Sequence, residues 1–129
     1  MASNTEIVRG LYESFARGDV PTVLQAFAED LVWREAEGFP HGGIYHGPQQ
    51  VLDNVFVPLG SEWAPFEVAA ERHVAEGDTV VSLGRYSGTF KATGKQFSAP
   101  FAHVWTLRDG KIAGFEQFTD TAVVQRALT

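Results

Sequence analysis

The apolar residues of this chain change period near its midpoint, and that change restricts the possible folds more than any single motif. Before Pro58 they recur at helical spacing; from Pro65 on they alternate or run together between turn signals. Ser3 and Glu6 have capping-box spacing, and Ile7, Val8, Leu11, Tyr12 and Phe15 then share one helical face. Gly18 stops that helix and Asp19 caps a second, with Pro21 in its first turn and Val23, Leu24 and Phe27 as its buried side. Leu31 to Glu35 reads as a short strand, followed by a loop containing Gly38, Pro40, Gly42 and Gly43. Pro48 opens a third helix carrying Val51, Leu52, Val55 and Phe56, and Pro58 is expected to end it.

Turn signals in the second half fall at Glu76-Gly77-Asp78, Thr93-Gly94 and Asp109-Gly110. They delimit four antiparallel strands, at about 65–75, 79–90, 95–107 and 111–119, with boundaries loose by ~2–4 residues. Val123, Val124 and Leu128 make a short amphipathic tail. Helices first and a long meander afterwards predict an α+β fold with helices packed on one side of the sheet. In the strand 95–107, Phe97, Phe101, Trp105 and Leu107 share one face while Ala102 and Val104 lie on the other. Both faces are apolar, so a covering partner is expected on the side away from the helices, and a homodimer supplies it.

At 129 residues the chain is read as a single domain, 1–129, large enough to bury a core without disulfides or a structural metal. Having no cysteine, it has no disulfide framework, thiol nucleophile or thiolate metal site. A net charge of −6 argues against a nucleic-acid partner, which needs clustered Lys and Arg. The first residues have neither a basic start nor an apolar run, and no stretch approaches the ~20 apolar residues of a membrane helix. A cytoplasmic location with no membrane partner is therefore expected. Ten Phe, three Trp and three Tyr supply rings for a core, a dimer face or a ligand cavity.

An ordered series of short motifs runs through nearly the whole chain: Arg17-Gly18-Asp19, Phe27-Ala28-Glu29-Asp30, Val32-Trp33-Arg34-Glu35, Gly43-Ile44-Tyr45-His46-Gly47-Pro48, Pro100-Phe101-Ala102-His103-Val104-Trp105 and Asp109-Gly110-Lys111-Ile112. The series resembles the nuclear transport factor 2-like superfamily, and within it the SnoaL-like polyketide cyclases and ketosteroid isomerase-related proteins. The resemblance implies a cone of three N-terminal helices over a strongly curved antiparallel sheet, enclosing one pocket for a small hydrophobic molecule, often with a dimer through the back of the sheet. It also implies a cofactor-free enzyme doing isomerase- or cyclase-like proton transfer on a small apolar carbonyl compound. A non-catalytic binding module for a hydrophobic ligand is the alternative.

Glu35 is the candidate catalytic residue, since it ends a strand on the same face as Trp33 and matches the place of the isomerases' general base. A carboxylate among aromatic rings loses hydration of its charged form, which raises its pKa toward the range useful for proton exchange. The isomerase pattern places its oxyanion tyrosine on Leu11, one position before Tyr12, and its aspartic acid on Ala102. That enzyme's residue set is therefore incomplete here. The same pattern turns Leu83, Arg85 and Ser87 toward the pocket, together with Phe115, Gln117 and Thr119. Arg85 and Gln117 are then polar anchors, with Glu35 as the partner a buried arginine requires; the alternative is an arginine on the outer sheet face with a solvated head, because one bulge flips an alternating strand. The Asp–Arg–Asp set of limonene epoxide hydrolases lacks both carboxylates in this sequence. Trp33 and Phe56 complete the expected ligand-binding residues, which are Leu11, Tyr12, Trp33, Phe56, Leu83, Arg85, Ala102, Phe115 and Gln117. His41 and His46 sit in a loop without supporting carboxylate spacing, so no metal is expected, and His103 reads as a sheet or interface residue.

Overall fold

The computed structural model describes residues 2–129. Helix α1, Asn4–Ala16, starts at the expected capping box: Ser3 Oγ accepts from the Glu6 amide at 3.2 Å and the Glu6 carboxylate accepts from the Ser3 amide at 3.2 Å. Together these satisfy two amides that the first helical turn leaves without partners. Helix α2, Val20–Gln25, is capped by Asp19 and ends earlier than the sequence suggested. Phe27 therefore belongs to strand β1, Phe27–Glu35, where it packs on Trp33 with ring centroids 5.7 Å apart. The segment read as an unbroken loop holds a four-residue edge strand, β2, Gly43–His46, paired antiparallel with β1.

The third helical stretch does not stop at Pro58. Helix α3, Gly47–Val51, passes through one π-helical turn, Leu52–Phe56, into α4, Val57–Glu62. Pro58 directly follows the π turn, where the Val57 amide bonds back to Leu52 O, so the hydrogen-bond ladder is already shifted where the proline's amide is missing. The π turn carries Val55 and Phe56 toward the sheet. Four long strands follow: β3, Trp63–Glu76; β4, Thr79–Phe90; β5, Gln96–Arg108; and β6, Lys111–Thr119. Helix α5, Thr121–Leu128, closes the chain.

The six strands form one open sheet in the order β2-β1-β6-β5-β4-β3, in which β1 runs parallel to β6 and every other pair is antiparallel. Alternation is strict along β5: Phe97, Ala99, Phe101, His103, Trp105 and Leu107 are buried, while Ala102 and Val104 are half-buried on the other face. The core lies between the concave face and the helices, with Val8, Leu11, Val51 and Val55 from the helical layer. The convex face is apolar but unevenly covered. Leu83 stands opposite Ala102 and Val81 opposite Val104, while Phe118 is 50% exposed and Val74 is 46% exposed. No helix among the described residues is long and apolar enough to cross a membrane.

Candidate functional site

A cavity of about 530 Å³ opens between the concave face of the sheet and the layer formed by α1, the π turn and α4. Its volume is in the range of small-molecule sites. Phe15 and Phe56 meet edge to face at 4.9 Å on the helical side, and Trp33 stacks on Phe115 at 3.7 Å on the sheet side. The walls are thus mostly aromatic, and no Lys or Arg is among the lining residues.

Glu35 is the acidic group set deepest in this wall, with 6% of its surface exposed. Strand alternation puts it two residues beyond Trp33 on the same face, and the Trp33 indole donates to its Oε1 at 2.8 Å. That is its only side-chain hydrogen bond among the described residues, and neither of their ion pairs includes it. Burial pushes its pKa up to about 7, and the Trp33 hydrogen bond offsets only part of that rise. A carboxyl group poised there exchanges a proton with little driving force in either direction at neutral pH.

Across the cavity a chain of polar side chains crosses the sheet. Trp105 Nε1 donates to Tyr12 Oη at 3.0 Å, and Tyr12 Oη lies 2.5 Å from His103 Nδ1. On the other side of the imidazole, His103 Nε2 is hydrogen-bonded to Tyr86 Oη, which also accepts from Gln117 Nε2 at 2.8 Å. Gln117 Oε1 accepts the Ala36 amide at 2.9 Å, so the chain ends on the backbone beside Glu35. Burial lowers the His103 pKa to about 3 and leaves the imidazole neutral. Burial also raises both phenols; for Tyr86 the charge of Glu35 adds to the effect.

The expected residues divide into two groups. Glu35, Tyr12, Trp33, Phe56 and Phe115 line the cavity, and Gln117 is buried directly behind it. Leu11 is buried in the helix–sheet core and does not reach the cavity wall. Leu83, Arg85 and Ala102 belong to the opposite face of the sheet, which corrects their assignment. Arg85 is exposed and its Nε donates to Ser98 Oγ at 3.2 Å, so it neither anchors a ligand nor pairs with Glu35. The inward positions of β4 are Ser82, Gly84, Tyr86 and Gly88. A Cβ at Gly84 would stand 2.7 Å from the Phe101 ring and 2.0 Å from the Ala69 carbonyl oxygen, so this close approach requires glycine. Carrying the isomerase register onto this strand inverted its faces. On α1 and β5 the same register fell one residue short of the inward side chains, Tyr12 and His103.

Tyr86 and His103 are polar site residues that the sequence reading missed, and Phe15, Phe39, Phe66 and Trp105 also line the cavity without having been assigned to it. The signal available for Tyr86 was the Gly84-x-Tyr86-x-Gly88 spacing, which leaves room on one face of a strand for rings from its neighbours. His41 is engaged elsewhere, its Nε2 2.5 Å from Glu62 Oε1, while His46 is exposed.

Residues 8–115 match the model of the SnoaL-like domain, and the chain belongs to that family. A nuclear transport factor 2-like protein from Burkholderia thailandensis E264 is 40% identical, with a TM-score of 0.97 over 100% of this chain and 99% of that one. A second such protein, from Burkholderia pseudomallei K96243, is 33% identical with a TM-score of 0.89, again over 100% and 99% of the two chains. TerC, co-crystallised with polyporic acid, is 26% identical with a TM-score of 0.85 over 97% of each chain. No curated protein matches the chain. The fold is the curved-sheet cone of this superfamily, with its sheet open.

Proposed function

We propose that the cavity binds a small, largely apolar carbonyl compound and that Glu35 moves a proton on it without a cofactor. The observation that carries this reading is a carboxyl group at the cavity wall, without a cationic partner among the described residues and with a pKa near 7. In the step proposed, the Glu35 carboxylate removes a proton from the carbon next to the carbonyl. The C–H electron pair becomes the enolate double bond, and the carbonyl π pair moves onto oxygen. The carboxylic acid so formed returns the proton to the same carbon or to a conjugated one, so nothing is oxidised or reduced. TerC's co-crystallisation with polyporic acid supports a small organic ligand for this kind of fold.

The test is hydrogen–deuterium exchange at the α-carbon of a panel of aryl ketones and cyclic enones, followed by NMR in D2O. Wild-type protein is expected to accelerate exchange on members that bind, and Glu35→Gln to lose about 10²–10⁴-fold of that acceleration with binding retained. Exchange at an unchanged rate in the variant refutes the role of Glu35. The alternative is a binding module that holds such a ligand without turning it over. It is favoured by the polar groups on the far wall, which already partner one another. Binding without exchange by the wild-type protein would establish it.

We also propose a homodimer through the convex face of the sheet, supported by the apolar patch around Val81, Leu83, Val104 and Phe118.

A further inference from the structure

His103 sits between two phenols, and hydrogen counting along that chain singles out one of them. A neutral imidazole has one N–H to give and one lone pair to receive. With Tyr12 on Nδ1 and Tyr86 on Nε2, one tyrosine must donate to the ring while the other accepts from it. The accepting tyrosine keeps its own O–H for another partner. The outer ends of the chain leave no ambiguity. Trp105 Nε1 can only donate, and it does so to Tyr12. The Ala36 amide occupies Gln117 Oε1, so Gln117 Nε2 must donate to Tyr86.

Glu35 selects between the two directions. Tyr86 is joined through Gln117 to the amide of Ala36, the residue next to Glu35, so the carboxylate lies toward the Tyr86 end of the chain. A carboxylate favours dipoles whose hydrogens point at it. The favoured arrangement therefore runs from Trp105 to Tyr12, from Tyr12 to Nδ1 of His103, from Nε2–H to Tyr86, and from the Tyr86 O–H into the cavity.

We propose that Tyr86 is the hydrogen-bond donor to the carbonyl oxygen of a bound neutral ketone or enone, and that His103, as its Nε2–H tautomer, is the positioning residue that frees the Tyr86 hydroxyl for that contact. The proposal rests on the carbonyl-compound reading given above. Two donors into the Tyr86 oxygen, from His103 and Gln117, polarise its O–H, so the bond to ligand strengthens as charge develops on the carbonyl oxygen. Tyr86 itself stays protonated and only Glu35 moves a proton. With no Lys or Arg at the walls, a ligand bearing a carboxylate is disfavoured beside Glu35, which restricts the class to neutral carbonyl compounds.

Two readouts on the full-length protein test this. Nitrogen NMR of histidine-labelled protein at neutral pH is expected to show His103 protonated on Nε2 and bare on Nδ1. An Nδ1–H tautomer or an imidazolium overturns the proposal without recourse to any variant. The carbonyl stretch of bound 4-fluoroacetophenone is expected at lower wavenumber in wild-type protein than in water, and to lose that shift in Tyr86→Phe. A shift that survives in Tyr86→Phe, or failure of the ketone to bind at millimolar concentration, overturns it. Where α-hydrogen exchange is observed, Tyr86→Phe should slow it about 10²–10³-fold. The carbonyl shift is read without turnover, so it separates the donor reading from the proton transfer. A shift specific to Tyr86 in a protein that catalyses no exchange supports the donor and refutes only the proton transfer.

Discussion

Replacing Glu35 by Gln should stabilise the protein at alkaline pH and not at acid pH. The folded state holds the Glu35 proton up to about pH 7, whereas the unfolded chain releases it near its ordinary value of 4.5. The stability that Glu35 contributes is therefore complete below pH 4.5 and is lost as pH rises through about 7. The interval from 4.5 to about 7, at ~1.4 kcal/mol per pH unit, gives a loss of about 3 kcal/mol. A glutamine still accepts the Trp33 N–H but never ionises, so the variant escapes that loss. Wild-type stability alone conceals the effect, because His103 titrates with the opposite sign. Its folded pKa is depressed to about 3, so its contribution is complete above 6.5 and is lost as pH falls below that value. Between about pH 4.5 and 6.5 the two slopes oppose each other. Urea denaturation of both proteins from pH 4.5 to 8.5 isolates the Glu35 part. The stability of Glu35→Gln relative to wild type should climb by about 3 kcal/mol across that range, or roughly 10 °C in Tm. A difference that stays constant, or that falls with pH, would refute the claim that the carboxyl group is buried without a counter-charge.

Three further outcomes follow from the same geometry. Trp33→Phe removes the single N–H held on Glu35 Oε1, so the Glu35 titration seen by carbon NMR should move above its wild-type midpoint, while a downward move would contradict the assigned donor. Gly84→Ala forces a Cβ against the Ala69 carbonyl oxygen and the Phe101 ring and should cost about 3 kcal/mol in chemical denaturation; a neutral result would mean that β4 can withdraw from β3. Sedimentation at micromolar concentration should give a dimer for wild type and a monomer for Val104→Arg, whereas an unchanged dimer would place the interface elsewhere.

The change of hydrophobic period made most of the fold legible, because helix α1 keeps helical spacing and strands β4 and β5 alternate along their whole length, while turn signals bound the rest. Short or mixed segments were less readable. Gly43–His46 is four residues long and becomes a strand only through its pairing with β1, and Phe27 follows too short a helix for spacing to decide its side. At the site, Glu35 and Trp33 could be placed because alternation from one apolar anchor carries them to the same face. Strand β4 defeated the same logic. Its inward positions hold Ser82, Gly84 and Gly88, small residues that read as outward, while Leu83 takes the convex side among other apolar residues. What fills the inner space is Phe101 from the neighbouring strand, a contact that no pattern within β4 encodes. His103 read as a bland sheet residue for a related reason, since its role depends on two tyrosines 91 and 17 residues away in sequence.

The central claim is that the cavity presents a carboxyl group poised to exchange a proton near neutrality. Carbon-13 NMR titration of the Glu35 side-chain carboxyl tests it most directly. A midpoint near pH 7 in wild-type protein, absent from the spectrum of Glu35→Gln, is the result expected here. A midpoint near 4.5, that of a solvated glutamate, would contradict it.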